Sequence, residues 1–148
     1  MKSKTIILSI HPCHIEKIFS GEKLYEFRKI IPSDIQKIVV YATSPIKKIV
    51  AIIEVEKVLT DTPESIWKQT CKHSGVTKEF FMSYFRGKEK ANAIKIKSFI
   101  KLKEPKSLSC VGIKNAPQSF VYILDSYDVL KKISTDEYAG KSRRVQEL

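Results

Sequence analysis

A mixed α+β fold, a small β-barrel with flanking helices, is predicted by three observations. The segment Ala91–Lys103 alternates apolar and polar residues, with Ile94, Ile96, Ile100 and Leu102 at even positions. Strict alternation over that length is the mark of a strand with one face in a core. Four other short runs rich in Ile, Val and Tyr lie at 4–10, 24–30, 38–42 and 49–59, and a fifth at 120–124. Between them stand helical stretches with recognisable starts and stops, two of them consecutive. Few strands with few helices close best into a barrel, because closure hides strand edges.

In chain order, residues 4–10 read as a buried strand. Pro12 suits a first helical turn, Ile15, Ile18 and Phe19 form one apolar face, and Gly21 is a C-terminal stop. A strand follows at 24–30, a third at Ile38–Ala42 ended by Ser44-Pro45, and a long fourth from Ile49 to Leu59. Thr62-Pro63-Glu64 starts a helix that carries Ile66 and Trp67 and stops near Gly75. Thr77 starts another, with Phe80, Phe81, Tyr84 and Phe85 at helical spacing, read as core. The long strand from Ala91 and the closing one at Phe120–Leu124 complete the barrel, and 126–133 is expected to be a short helix. One domain is expected over 1–133, followed by a basic tail at 134–148.

The chain has 148 residues and a net charge of +11. Such an excess favours anionic partners, nucleic acid first. From Arg86 to Lys106, eight basic residues face only Glu89 and Glu104, so over half of the excess is local. Cys13, Cys71 and Cys110 are far apart and odd in number, which fits neither a disulfide framework nor a zinc ribbon. A reducing cytoplasm is the expected compartment. No apolar run approaches the length of a membrane span, and none is expected. The apolar run after Lys4 is short and ends in His11-Pro12, so it reads as a strand and not as a secretion signal.

The densest chemistry lies in Gly21-Glu22-Lys23-Leu24-Tyr25-Glu26-Phe27-Arg28. In a strand, Tyr25 and Phe27 share one face and Glu26 and Arg28 the other, with Lys23 at the entrance. The aromatic face anchors the strand and the charged face presents a polar site. A surface strand with an ordinary ion pair, worth ~0–1 kcal/mol, would show the same pattern.

Gly-x-Lys-x-x-Glu-x-Arg resembles the signature of the ASCH family, a branch of the PUA-like superfamily. Leu8-Ser9-Ile10-His11-Pro12, Val40-Tyr41-Ala42-Thr43-Ser44-Pro45 and Asn115-Ala116-Pro117-Gln118-Ser119-Phe120 fit the same family in the same order. The resemblance implies a PUA-like β-barrel and a nucleic-acid-related role. It further implies that Lys23, Glu26 and Arg28 line a cleft, with Tyr41, Ser44, Gln118 and Ser119 as neighbours. Such a set can read the Watson–Crick edge of a splayed base and hold its phosphate. Small bacterial relatives hydrolyse N4-acylated cytidines with the Lys, a Thr three residues later and a distant Glu. Lys23 matches, but Glu26 stands at the Thr position, and the distant Glu would fall in Lys72-His73-Ser74-Gly75, which has no carboxylate.

The expected function is nucleic-acid binding, of RNA or single strands, with a regulatory role open. The alternative is a small hydrolase acting on a modified nucleoside or a ribonuclease, with Lys23 and Glu26 as its catalytic pair. A nucleoside-like small molecule is a further candidate ligand; no cofactor, metal or membrane is expected. Lys95, Lys97, Lys101 and Lys103, ~6.6 Å apart at alternate positions, are read as a phosphate-contacting stripe with Phe99 as a base-stacking residue. His11, Cys13 and His14 could in principle form a metal or nucleophile site, but they lack a standard spacing.

Overall fold

The computed structural model describes residues 4–123. Strands β1 (Thr5–Ile10), β2 (Tyr25–Arg28), β3 (Lys37–Ala42), β4 (Lys48–Asp61), β5 (Ala91–Lys106) and β6 (Phe120–Tyr122) form one sheet in the order β2-β5-β4-β3-β1-β6. Only β1 and β3 run parallel; the other neighbours are antiparallel. Helices α1 (Pro12–Ser20), α2 (Pro63–Thr70) and α3 (Lys78–Tyr84) flank the sheet, as an α+β half-barrel. The expected helix at 126–133 and the tail at 134–148 lie outside the described residues.

The helices begin as their sequences dictate, but α2 ends at Thr70, ahead of the expected stop near Gly75, and a 3-10 turn follows at Cys71–His73. The Thr62 and Thr77 hydroxyls accept from the Ser65 and Phe80 amides at 3.2 and 3.1 Å. In α1 the cap is His11, whose Nδ1 accepts from the Cys13 amide at 3.1 Å, and Pro12 follows at the first helical position. Gly21, at φ 87°, ends the helix.

The sheet must curl. In a flat sheet β2 and β1, four places apart, would be separated by ~19 Å, further than an arginine side chain reaches. Yet Arg28 Nη2 donates to the Ser9 carbonyl at 2.7 Å. Inside the curl, Ile6, Leu8, Ile10, Ile38, Val40, Ile94 and Ile96 pack with Ile15 and Ile18 of α1. The other face packs Ile7, Val39, Tyr41, Ile52 and Leu102 against Val111 of a 3-10 turn. A third cluster joins Phe27 to Ile66 of α2 and to Phe81 and Phe85 at α3.

The alternation expected along β5 breaks in the middle. Val55 pairs with Ile96 but Glu54 pairs with Ser98, which leaves Lys97 as an extra, bulged residue. A one-residue insertion swaps the faces. Ile94 and Ile96 face the inner core, and beyond the bulge it is Phe99 that does so, 7% exposed and packed on Phe19. Ile100, expected inside, is exposed.

Candidate functional site

The turn from α1 into β2 carries Lys23 inward. Its amide donates to the Lys17 carbonyl at 3.0 Å, and the next amide, of Leu24, donates to the His73 carbonyl at 2.8 Å. These bonds seat the Lys23 stem on Gly75. A Cβ on Gly75 would lie 2.6 Å from the Lys23 Cβ, and Gly75 has φ +73°, so two independent constraints require glycine there. Lys23 is 1% exposed. Its Nζ donates to the Ser74 carbonyl at 2.8 Å, lies 4.0 Å from Glu26 Oε1, and sits 4.8 Å from the Phe27 ring centroid.

Strand alternation turns Glu26 and Arg28 to one side, as expected, while Phe27 enters the third core cluster with Tyr25 packed against it. Glu26, 5% exposed, accepts from Arg28 Nε and Nη2 on Oε2 at 3.2 and 3.1 Å. One carboxylate therefore stands between two cations. Burial pulls the Lys23 ammonium below its ordinary pKa; Glu26 opposes this, while Lys17 and Arg28 add to it.

These groups wall a pocket of about 180 Å³. His11 and His14 complete its polar side, and Phe27, Val76, Phe80 and Tyr84 form its apolar side. Phe80, 48% exposed, and Tyr84 lie with rings nearly parallel, 4° apart in plane at 6.4 Å. His14 is 5.7 Å from Phe80, and Lys29 Nζ lies 4.7 Å over the Tyr84 ring. The aromatic helix is thus divided: Phe81 and the capping Phe85 are core, as expected, but Phe80 and Tyr84 face the pocket. His14 is half-buried, and burial lowers its pKa; Lys23, His11 and Lys17 act in the same direction and Glu26 against it. Its Nδ1 is buried with no hydrogen-bond partner among the described residues.

The other expected neighbours do not line this pocket. Tyr41 lies in the core of the opposite sheet face, because it shares β3 parity with Val39. Ser44 is exposed in the turn after β3, and Gln118 and Ser119 are exposed before β6. Their stretches do gather nearby: the Ser9 hydroxyl donates to the Pro117 carbonyl at 2.8 Å, and the Thr43 amide donates to the Ile10 carbonyl at 3.1 Å. The same Ser9 holds Arg28 through its backbone carbonyl.

On β5 the lysines do not form one row. Lys95 is 3.6 Å from Glu56, Lys97 is the bulged residue, and Lys101 lies over the Phe19 ring at 5.1 Å. Lys103 is exposed. Phe99, buried against Phe19, has no face free for a base, which removes the expected stacking residue. Among the described residues no three His, Cys, Asp or Glu side chains are placed to share a metal ion. No described helix is long and apolar enough to cross a membrane. His11, His14, Phe80 and Tyr84 were not foreseen as pocket residues. The signal was available for the histidines, since α1, whose cap and first turn carry them, runs directly into the Gly21–Arg28 motif.

No family model matches the chain. A 92-residue stretch is 29% identical to an ASCH domain-containing ribonuclease of Zymomonas mobilis, covering 61% of this chain and 62% of that protein. The crystal structure of ASCH from Zymomonas mobilis superposes with a TM-score of 0.80 at 23% identity, covering 91% of this chain and 96% of that one. The chain has the fold of that ASCH structure, and its sequence is similar to the ASCH domain-containing ribonuclease over that stretch. It is also 33% identical over 123 residues to large ribosomal subunit protein uL22 of Ureaplasma parvum, which takes in 82% of this chain but only 40% of that longer protein.

Proposed function

We propose that this ASCH domain acts on single-stranded RNA and takes one nucleotide into the pocket between Lys23, Glu26 and Arg28 on one side and Phe80 and Tyr84 on the other. The observation that carries the reading is the burial of Lys23 and Glu26, with Arg28 partly buried beside them, at the wall of an open pocket. Buried ion pairs are weak devices for stability, since desolvation offsets their attraction. Their concentration in a cleft marks a site that uses the charge. The aromatic side offers a stacking surface, worth ~1–3 kcal/mol per base. The net charge of +11 draws in a polyanion. The relative named as a ribonuclease supports RNA as the partner.

A second reading, cleavage of the bound strand, is favoured by one observation. Lys23 and His14 both hold their protons less tightly than usual and flank one carboxylate. That is the setting in which amines and imidazoles exchange protons with substrate. Hydrolysis of acylated cytidines has less support. The segment that would carry the distant Glu does lie against Lys23, but it offers the Ser74 carbonyl, which cannot take up a proton.

Anisotropy with a fluorescent single-stranded RNA tests the first reading. Wild type should bind with steep salt dependence, and Arg28→Gln should weaken binding about tenfold or more, as expected for loss of a charge-assisted contact. Absence of binding at low salt overturns it. Following the same RNA by mass spectrometry tests cleavage. Products formed by wild type and lost in Lys23→Ala and Glu26→Gln support turnover, and intact RNA leaves the binding reading.

A further inference from the structure

The hydrogen-bonding inventory of the pocket points to one part of a nucleotide. A neutral imidazole carries one N–H and one lone pair. His11 Nδ1 accepts from the Cys13 amide at 3.1 Å, so the proton of neutral His11 is on Nε2. His14 Nδ1 is buried without a partner among the described residues. An orphaned buried N–H is rarer and costlier than an orphaned lone pair, which assigns the His14 proton to Nε2 as well. Both imidazoles line the same pocket, each with Nε2 as its N–H donor.

Arg28 has donors beyond those given to Glu26 and Ser9, and Lys23 has donors beyond the one given to Ser74. Against these four donor groups stands one carboxylate, whose Oε2 is already taken by Arg28. A wall so rich in donors and so poor in acceptors does not complement a base edge, which alternates the two. It complements a group that only accepts. The pocket, about 180 Å³, is also smaller than the ~300–1,000 Å³ typical of sites for drug-sized ligands.

We propose that the polar wall formed by His11, His14, Lys23 and Arg28 is a phosphate subsite, which holds the oxygens of a phosphoryl or phosphodiester group. The inference rests on the RNA reading above and deepens it: the backbone enters the polar side, and the attached nucleoside turns toward Phe80 and Tyr84. Glu26 does not touch the phosphate; it is a positioning residue that holds Arg28 and balances Lys23.

Inorganic phosphate is the probe. Long-range proton–nitrogen NMR of the full chain reads the histidine tautomers directly. The expected spectrum shows His11 and His14 as Nε2–H tautomers at neutral pH, with both side-chain signals moving saturably on addition of phosphate. Phosphate should also raise the His14 pKa, adding an anion to a surrounding of Glu26, Lys23, His11, Lys17, Arg28 and Tyr84. His14→Phe keeps a ring against Phe80 and should weaken phosphate binding several-fold, while Arg28→Gln should weaken it about tenfold or more. Histidine signals that stay still up to tens of millimolar phosphate, or a His14 that carries its proton on Nδ1, overturn the subsite. RNA anisotropy on the same sample separates the two ideas. RNA binding without a phosphate response defeats the subsite alone; a phosphate response without RNA binding defeats the RNA reading alone.

Discussion

The short strand β2 and the long strand β5 are hydrogen-bonded neighbours that treat charge in opposite ways. Within six residues, the β2 region gathers Lys23, Glu26 and Arg28, buries the first two and half-buries the third, and ties them to one another and to the Ser9 and Ser74 carbonyls. On β5, Lys95, Lys97, Lys101 and Lys103 are spread over nine residues and interrupted by a bulge, with Lys95 tied to Glu56 and Lys101 to the Phe19 ring. The first arrangement is dehydrated and geometrically fixed. The second is solvated and divided between faces. Charge that is costly to bury and held in place marks a site; charge in water, even in larger number, sets only the field around the molecule.

The sharpest way to break the contrast is Glu26→Ala. It removes the partner of two cations, one of them fully buried. Destabilisation of ~3–5 kcal/mol is expected, the usual consequence of leaving a buried charge uncompensated, and urea denaturation measures it. A loss below ~1 kcal/mol, the range of exposed pairs, would make the β2 site no different in kind from β5. Gly75→Ala comes next. It combines a positive φ with a contact of 2.6 Å to the Lys23 stem. A loss of ~1–3 kcal/mol is expected for the strained conformation, with RNA affinity falling because Lys23 must shift.

Proton linkage sharpens the comparison further. The folded pKa of Lys23 is depressed, so the unfolded chain binds more protons between that pKa and about 10.4. Stability from this residue therefore rises with pH through that window, and its cost is fully present below it. His14 behaves alike at lower pH: its contribution rises from its lowered folded pKa up to about 6.5. Each group contributes at most ~1.4 kcal/mol per pH unit. Lys23→Met should remove the alkaline slope, and His14→Phe the acidic one, in denaturation curves taken across pH. An unchanged slope in both variants would mean that neither group is desolvated by folding.

Much of the fold was legible because local signals agreed with it. Pro12 and Gly21 bracket α1, Thr62 and Thr77 cap α2 and α3, and the pairing of Glu26 with Arg28 follows from strand parity. What was not legible depends on register and curl. Nothing in Lys95-Ile96-Lys97-Ser98-Phe99 announces that Lys97 bulges, since either parity leaves an acceptable pattern of apolar and polar residues. Phe80 and Phe81 are the same residue type one position apart, and only the packing of α3 sends one to the pocket and the other to the core. Tyr41, Ser44, Gln118 and Ser119 fall near the carboxyl end of β1, or in its sheet, without reaching the pocket. Motif adjacency in sequence does not specify which face a side chain takes.

The smallest stability effect, and the closest test of the contrast, belongs to β5. Reversing Lys95, Lys97 and Lys101 to Glu should change stability by no more than ~0.5 kcal/mol per site, since these side chains are wholly or partly solvated. RNA affinity at low salt should fall, because the reversal takes six charges from a net +11 and weakens the attraction of the whole molecule. The slope of log affinity against log salt decides what the lysines do. Each phosphate contact contributes ~0.7 to that slope on single strands. If the lysines only set the field, the slope should change little and the loss should shrink at physiological salt, where the Debye length is ~8 Å. A slope lower by about 2, with binding abolished at every salt concentration while Arg28→Gln still binds, would move the RNA interface from the β2 pocket to the β5 face.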